Sequence, residues 1–147
     1  MRTGNFEALI LGLKVDEGFR AHPYDDATGR RVKAPTGQIT VGYGTNLDAG
    51  ITATEAEVLL RMRACAAVDG AEYLLGEAFA TFSGPRQVAF ANLVYNMGVG
   101  TFSRFKRAIA AAQAGSWWLC ADELERSKWY TQVGQRAVRI VAMIREG

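Results

Sequence analysis

The chain has 147 residues, 49% of them hydrophobic and 22% charged, which suits one globular domain with a real core and argues against a disordered or membrane-embedded protein. The formal charge of +2 conceals an uneven distribution. Residues 1–75 carry 8 Lys/Arg against 10 Asp/Glu, net −2, and residues 76–147 carry 9 against 5, net +4. The basic half suits an acidic partner, a nucleic acid or an anionic cell-wall polymer, or is simply a solvated face.

Phe6, Leu9, Ile10 and Leu13 recur at helical spacing and predict a helix over residues 5–17 that Gly18 stops. Asp16 and Glu17 then stand at its negative end, where the macrodipole disfavours anions. Glu7 interrupts the short apolar run and no small-residue cleavage site follows, so neither a signal peptide nor a membrane anchor is expected. From residue 20 to 46, Pro23, Gly29, Pro35, Gly37, Gly42 and Gly44 exclude a helix. Gln38 to Tyr43 is β-branched and aromatic enough to predict a strand, with Thr40, Gly42 and Gly44 on one face and Ile39, Val41 and Tyr43 on the other. One face is expected to pack and the other to leave room for a ligand.

Two overlapping capping boxes, Thr52 to Glu55 and Thr54 to Glu57, predict a helix reaching about residue 69, with Val58, Leu59, Met62 and Cys65 on its apolar side. After a break at Gly76, Ser83-Gly84-Pro85 opens a helix whose Val88, Ala89, Ala91, Leu93, Val94 and Met97 make it apolar on most sides and predict a buried centre. Gly98-Val99-Gly100 ends it. Helices are then expected over about 102–114, 116–126 and from Gly134 to near Arg145, with Ser127 capping a short turn. Cys65 and Cys120 lack metal-site spacing and predict buried free thiols. Trp117, Trp118 and Trp129 read as core, and His22 as a surface residue. The architecture is α+β, one domain at 1–147: a small β lobe at about 19–50, a helical lobe from 1–18 plus 70–147, and a connecting helix at about 52–69.

Glycosidic hydrolysis needs one carboxylic acid to protonate the leaving oxygen and a second carboxylate to activate water or attack directly. Glu17 with Asp25 or Asp26 supplies such a pair, and the Thr40 hydroxyl can hold a water in line. No metal or other cofactor is called for.

Glu17-Gly18, Tyr24, Asp26 and Thr40-Val41-Gly42-Tyr43-Gly44, with NLVYNMG at 92–98 and SKWYTQ…R…RI at 127–140, make the chain resemble the phage-type lysozymes, glycoside hydrolase family 24, over nearly its whole length. The resemblance implies Glu17 as general acid, Asp26 as the carboxylate activating water, and Thr40 as the residue positioning that water. By the family's Glu-to-Asp spacing, Asp25 becomes a turn residue. It implies a cleft lined by Gly42, Gly44, Tyr95 and Asn96 with Lys128 at its rim, and Arg136 pairing with Glu17. Two departures stand out: the connection between Asp26 and Thr40, carrying Arg30, Arg31, Lys33 and Pro35, is longer than in the T-even pattern, and Thr45 replaces a histidine.

The implied function is a monomeric muramidase that cuts the β-1,4 bond between N-acetylmuramic acid and N-acetylglucosamine in peptidoglycan, with inversion, for phage-mediated lysis. Nucleic acid and stable membrane insertion are not expected. Such a protein is made in the host bacterial cytoplasm without a signal peptide and reaches the periplasmic wall through a pore formed by another protein. A lytic transglycosylase, needing only the Glu, and a non-catalytic wall-binding or tail-structural module remain as alternatives.

Overall fold

The computed structural model describes residues 1–25, 27–34 and 36–147. Its elements run α1 (Thr3–Glu17), β1 (Thr40–Val41), β2 (Thr45–Asn46), a 3-10 turn (Leu47–Ala49), α2 (Ala53–Leu75), α3 (Ala78–Thr81), α4 (Gly84–Met97), α5 (Val99–Phe102), α6 (Lys106–Gln113), α7 (Trp117–Glu125), α8 (Lys128–Val133) and α9 (Gln135–Glu146). The fold is α+β, mostly helical with one two-stranded sheet, as the sequence predicts.

The centre is α4. Ser83 caps it by accepting from the Arg86 backbone N–H, Pro85 sits in its first turn where no N–H is missed, and every residue from Gln87 to Val94 is buried. Helices α1, α2 and α9 pack on it, and α7 packs on α9. Gln87 is a buried polar side chain whose bonds are met: it donates to the Phe79 carbonyl at 3.0 Å and accepts from Asn5 at 3.1 Å. Phe82, with Trp117 edge-on at 4.8 Å and Phe90 at 5.5 Å, closes one end of the core.

Helix α2 begins as predicted, with both halves of the Thr52–Glu55 capping box formed, but it runs 23 residues to Leu75 rather than stopping near 69. The second proposed box does not form, because Thr54 is already inside the helix; Glu57 bonds instead to Lys14 and Arg61. The expected apolar side is also corrected. Val58, Leu59, Met62 and Cys65 are exposed, and α2 meets α4 through Ala64, Ala67, Val68, Gly70 and Ala71. Small residues govern that contact because the helices approach closely: a Cβ on Gly70 would stand 2.5 Å from Val99 Cγ2 and 2.9 Å from Val94 Cγ1.

The predicted strand shrinks to Thr40–Val41. Gly42-Tyr43-Gly44 forms the turn of a tight hairpin, with Thr40 opposite Asn46 and Val41 opposite Thr45. Gly42 and Gly44 have φ of +58° and +92°, conformations that side chains with a Cβ disfavour, so these glycines serve the turn and do not floor a strand face. The face expected to pack does not: Val41 and Tyr43 are exposed. The long connection forms a turn of its own, in which Tyr24 bridges Arg31 and Val32 N–H donates to the Pro23 carbonyl at 2.9 Å. Arg31 then reaches the Asp48 carbonyl at 2.7 Å, and Asp48 accepts from the Ile39 N–H at 2.7 Å, tying this turn to the hairpin.

The later helices start and stop close to expectation, except that the stretch expected as one helix over 102–114 is divided: α5 starts directly after Gly98 and ends at Phe102, and α6 begins at Lys106. Both cysteines are free, but only Cys120 is buried. Of the tryptophans, Trp129 is core, Trp117 is half-buried, and Trp118 is 69% exposed, with Arg145 against its ring. His22 is half-buried beside Gly50 rather than on the open surface.

Candidate active site

Glu17 is the last residue of α1, and Gly18, at φ +66°, turns the chain away. That leaves the carboxylate at the negative end of the helix with its side chain 44% exposed. The counter-charge comes from the first turn of α9: Arg136 Nη1 donates to Glu17 Oε1 at 2.7 Å. The Arg136 side chain is nine-tenths buried, so the pair is screened less than a surface ion pair. Its Nε donates to Asn92 Oδ1 at 2.9 Å and lies 3.2 Å from Asp16 Oδ2. Asp16 is only 5% exposed and also accepts from Asn92 Nδ2 at 3.3 Å and from Arg139 Nη2. Such a charged group is stable out of water only when paired and hydrogen-bonded, as this one is.

Glu17 opens onto a cleft of about 580 Å³ between the end of α1 and the first turns of α2, with Leu13, Phe19, Leu59, Arg63 and Tyr95 among its walls. The Tyr95 phenol is pushed above its ordinary value, first by burial and then by the negative charge of Glu17. It therefore stays protonated and can donate a hydrogen bond into the cleft.

The remaining expected residues are placed less closely. Among the described residues lining this cleft, Thr40, Gly42, Gly44, Asn96 and Lys128 do not occur. Thr40 is exposed on β1, Gly42 and Gly44 lie in the hairpin turn, and Lys128 is exposed at the start of α8. Asn96 is exposed, and its Oδ1 accepts from the Trp129 indole at 2.8 Å. Asp26 lies outside the described residues. Its neighbour Asp25 is engaged locally: Oδ1 accepts from the Thr28 N–H at 3.0 Å, and the main chain bonds to Gly29 and Arg30, which is how an Asp stabilises a turn.

The sequence assigns no role in the site to Asp16, which it places only at a helix end, or to Asn92. The available signal was the Arg136/Arg139 pair, three apart on one helix face and therefore able to embrace a carboxylate other than Glu17.

The sequence profile of the family described as Phage lysozyme matches residues 14–145. The chain is 26% identical over 156 aligned positions to "Probable T4-type lysozyme 2" of Dictyostelium discoideum, covering 92% of each protein, and equally so to "Probable T4-type lysozyme 1" of that organism. A shorter match, 32% identity over 73 residues, covers 50% of this chain and 13% of "Pre-baseplate central spike protein Gp5" of Enterobacteria phage T4.

Proposed function

Because the chain belongs to the phage lysozyme family, and is thus a lysozyme-type glycoside hydrolase of peptidoglycan, we propose that it cuts the β-1,4 bond between N-acetylmuramic acid and N-acetylglucosamine by single displacement with inversion. The observation that carries this reading is Glu17: a half-exposed carboxylate on the wall of a cleft, held through one oxygen by a buried guanidinium. Among the described residues no donor reaches its Oε2, which leaves that oxygen to carry the proton.

Glu17 gives this proton to the glycosidic oxygen as the bond from C1 to that oxygen breaks. A water, oriented by the Thr40 hydroxyl, attacks C1 from the opposite face and passes its proton to Asp26. Tyr95 meets the sugars in the cleft, and Gly42, Gly44, Asn96 and Lys128 meet the parts of the glycan that extend beyond it. Arg136 fixes the Glu17 rotamer. A separation of roughly 6.5–9.5 Å between the Glu17 and Asp26 carboxyls fits inversion, and about 5–5.5 Å fits retention.

The biological role is lysis of a bacterial host by a monomer reaching the periplasmic wall through a pore made by another protein. No helix among the described residues is long and apolar enough to cross a membrane.

Mass spectrometry of purified peptidoglycan digested in ¹⁸O-labelled water tests the reading. Soluble muropeptides with labelled, reducing muramic-acid ends are expected. Anhydromuramic ends would replace the hydrolase with a transglycosylase, and binding without release of fragments would make the chain a non-catalytic module.

A further inference from the structure

Asp16 and Glu17 are adjacent, so they point about 100° apart around the axis of α1. Glu17 faces the cleft, while Asp16 turns into the seam where α1 meets α4 and α9. Packing does not select a rotamer for a side chain as exposed as that of Glu17. Arg136 does, and only if its own guanidinium is fixed. Its Nε is held from two directions, by Asn92 Oδ1 and by Asp16 Oδ2, and this aims Nη1 at Glu17 Oε1.

We infer that Asp16 is a positioning residue for Glu17, acting through Arg136; this rests on the reading of Glu17 as the acid. The arrangement is also electrical. Two carboxylates, Asp16 and Glu17, face two guanidiniums, Arg136 and Arg139, so the positive charge of Arg136 is divided between them. Removing Asp16 or Arg139 changes how Arg136 is held, and with it the rotamer of Glu17. The other ionisable groups at the cleft are Lys14 of α1, Arg20, Tyr24, Glu57 and Arg63 of α2, and Tyr95 of α4; Lys14 and Glu57 are already paired with each other at 2.8 Å.

The test is a ¹³C NMR measurement of side-chain scalar couplings, which report the Glu17 rotamer, in the full chain, run beside the kinetics of peptidoglycan clearing. Asp16→Asn keeps the shape and removes the charge. The Glu17 side chain should then average over several rotamers where the wild type holds one. The loss should appear as roughly tenfold in kcat with KM changed less than about twofold. Arg139→Gln, at a position 54% exposed, removes the donor that fixes Asp16 Oδ1; the Glu17 rotamer should loosen in the same sense, with a smaller fall in kcat than in Asp16→Asn.

A Glu17 rotamer unchanged in Arg139→Gln overturns the inference, as does an Asp16→Asn protein that loses activity only in proportion to its unfolded fraction. If Asp16→Asn does not fold, Arg139→Gln carries the test alone. A wild-type chain that binds peptidoglycan without cutting it removes the catalytic reading, and the NMR couplings still decide whether Asp16 controls Glu17.

Discussion

The proposed acid and the proposed water-holding groups come from two regions built on different principles. Between Leu13 and Ala64 no described apolar residue is buried, whereas the core fills the helices on either side of that interval. Glu17 grows out of the packed region, at the end of a helix whose Leu9, Ile10 and Leu13 are almost wholly inaccessible. The 19–50 segment is held by backbone bonds and by a few polar side chains such as Arg31 and Asp48. Apolar burial contributes roughly 25 cal/mol per Å², while a solvent-accessible hydrogen bond adds about 1 kcal/mol or less. The difference assigns stability to one region and shape to the other.

The largest effect expected on this contrast is chemical. Glu17→Gln should lower peptidoglycan clearing by about 10²–10⁴-fold with an unchanged melting temperature, since the side chain is half in water. Asp26→Asn should be similarly inactive and Asp25→Asn largely active; if only the latter is dead, the base is Asp25. Next comes Arg136→Ala, which leaves Asp16 with Arg139 and Asn92 as its remaining partners and should destabilise the fold by about 1–3 kcal/mol, the cost of a lost charged hydrogen-bond partner. Wild-type stability and activity in that variant would show the pairing to be idle.

A direct comparison of the regions follows from Phe90→Ala against Val41→Ala. The first empties a wholly buried site and should cost about 3–5 kcal/mol in denaturant unfolding, and the second, more than half exposed, under about 0.5 kcal/mol. Similar losses at both would mean the 19–50 segment has a core of its own. The smallest effect concerns the thiols. Cys65 is exposed and Cys120 is fully buried, its thiol pushed up to about 12 by burial. At mildly alkaline pH a disulfide reagent should modify one thiol rapidly in the native protein and the second only on unfolding, and two fast thiols would contradict the burial of α7.

How far the sequence could be read follows the same division. Helix boundaries were legible because single residues set them: Gly18, Gly76, Gly98 and Gly134 all take positive φ, and Thr52 and Ser83 both cap. The buried face of α2 was hidden because Ala64, Ala67, Gly70 and Ala71 carry little hydrophobic signal, while the more apolar stripe of Val58, Leu59 and Met62 stays in water. Gly42 and Gly44 were assigned one strand face because alternation is the first pattern a strand offers; a glycine on each side of Tyr43 is equally the pattern of a tight turn. Pairing of Arg136 with Glu17 came through family resemblance, since nothing in the spacing of residues 119 apart brings them together. Asp16 reads from sequence only as a charge at a helix end, because buried and exposed carboxylates look alike until the helix phase is known.

One backbone bond has a wider meaning. The Ile51 N–H donates to the Ala21 carbonyl at 2.8 Å, and Gly50 fits so closely there that a Cβ would lie 2.8 Å from His22 Cε1. Residues 22–50 thus leave and re-enter the molecule through one narrow neck. Topologically they form an interchangeable cassette, whose length and sequence can be rewritten without disturbing the helices that fix Glu17. A change of loop length that keeps the neck glycine is therefore expected to leave the packing of the helices, and the melting temperature they set, in place.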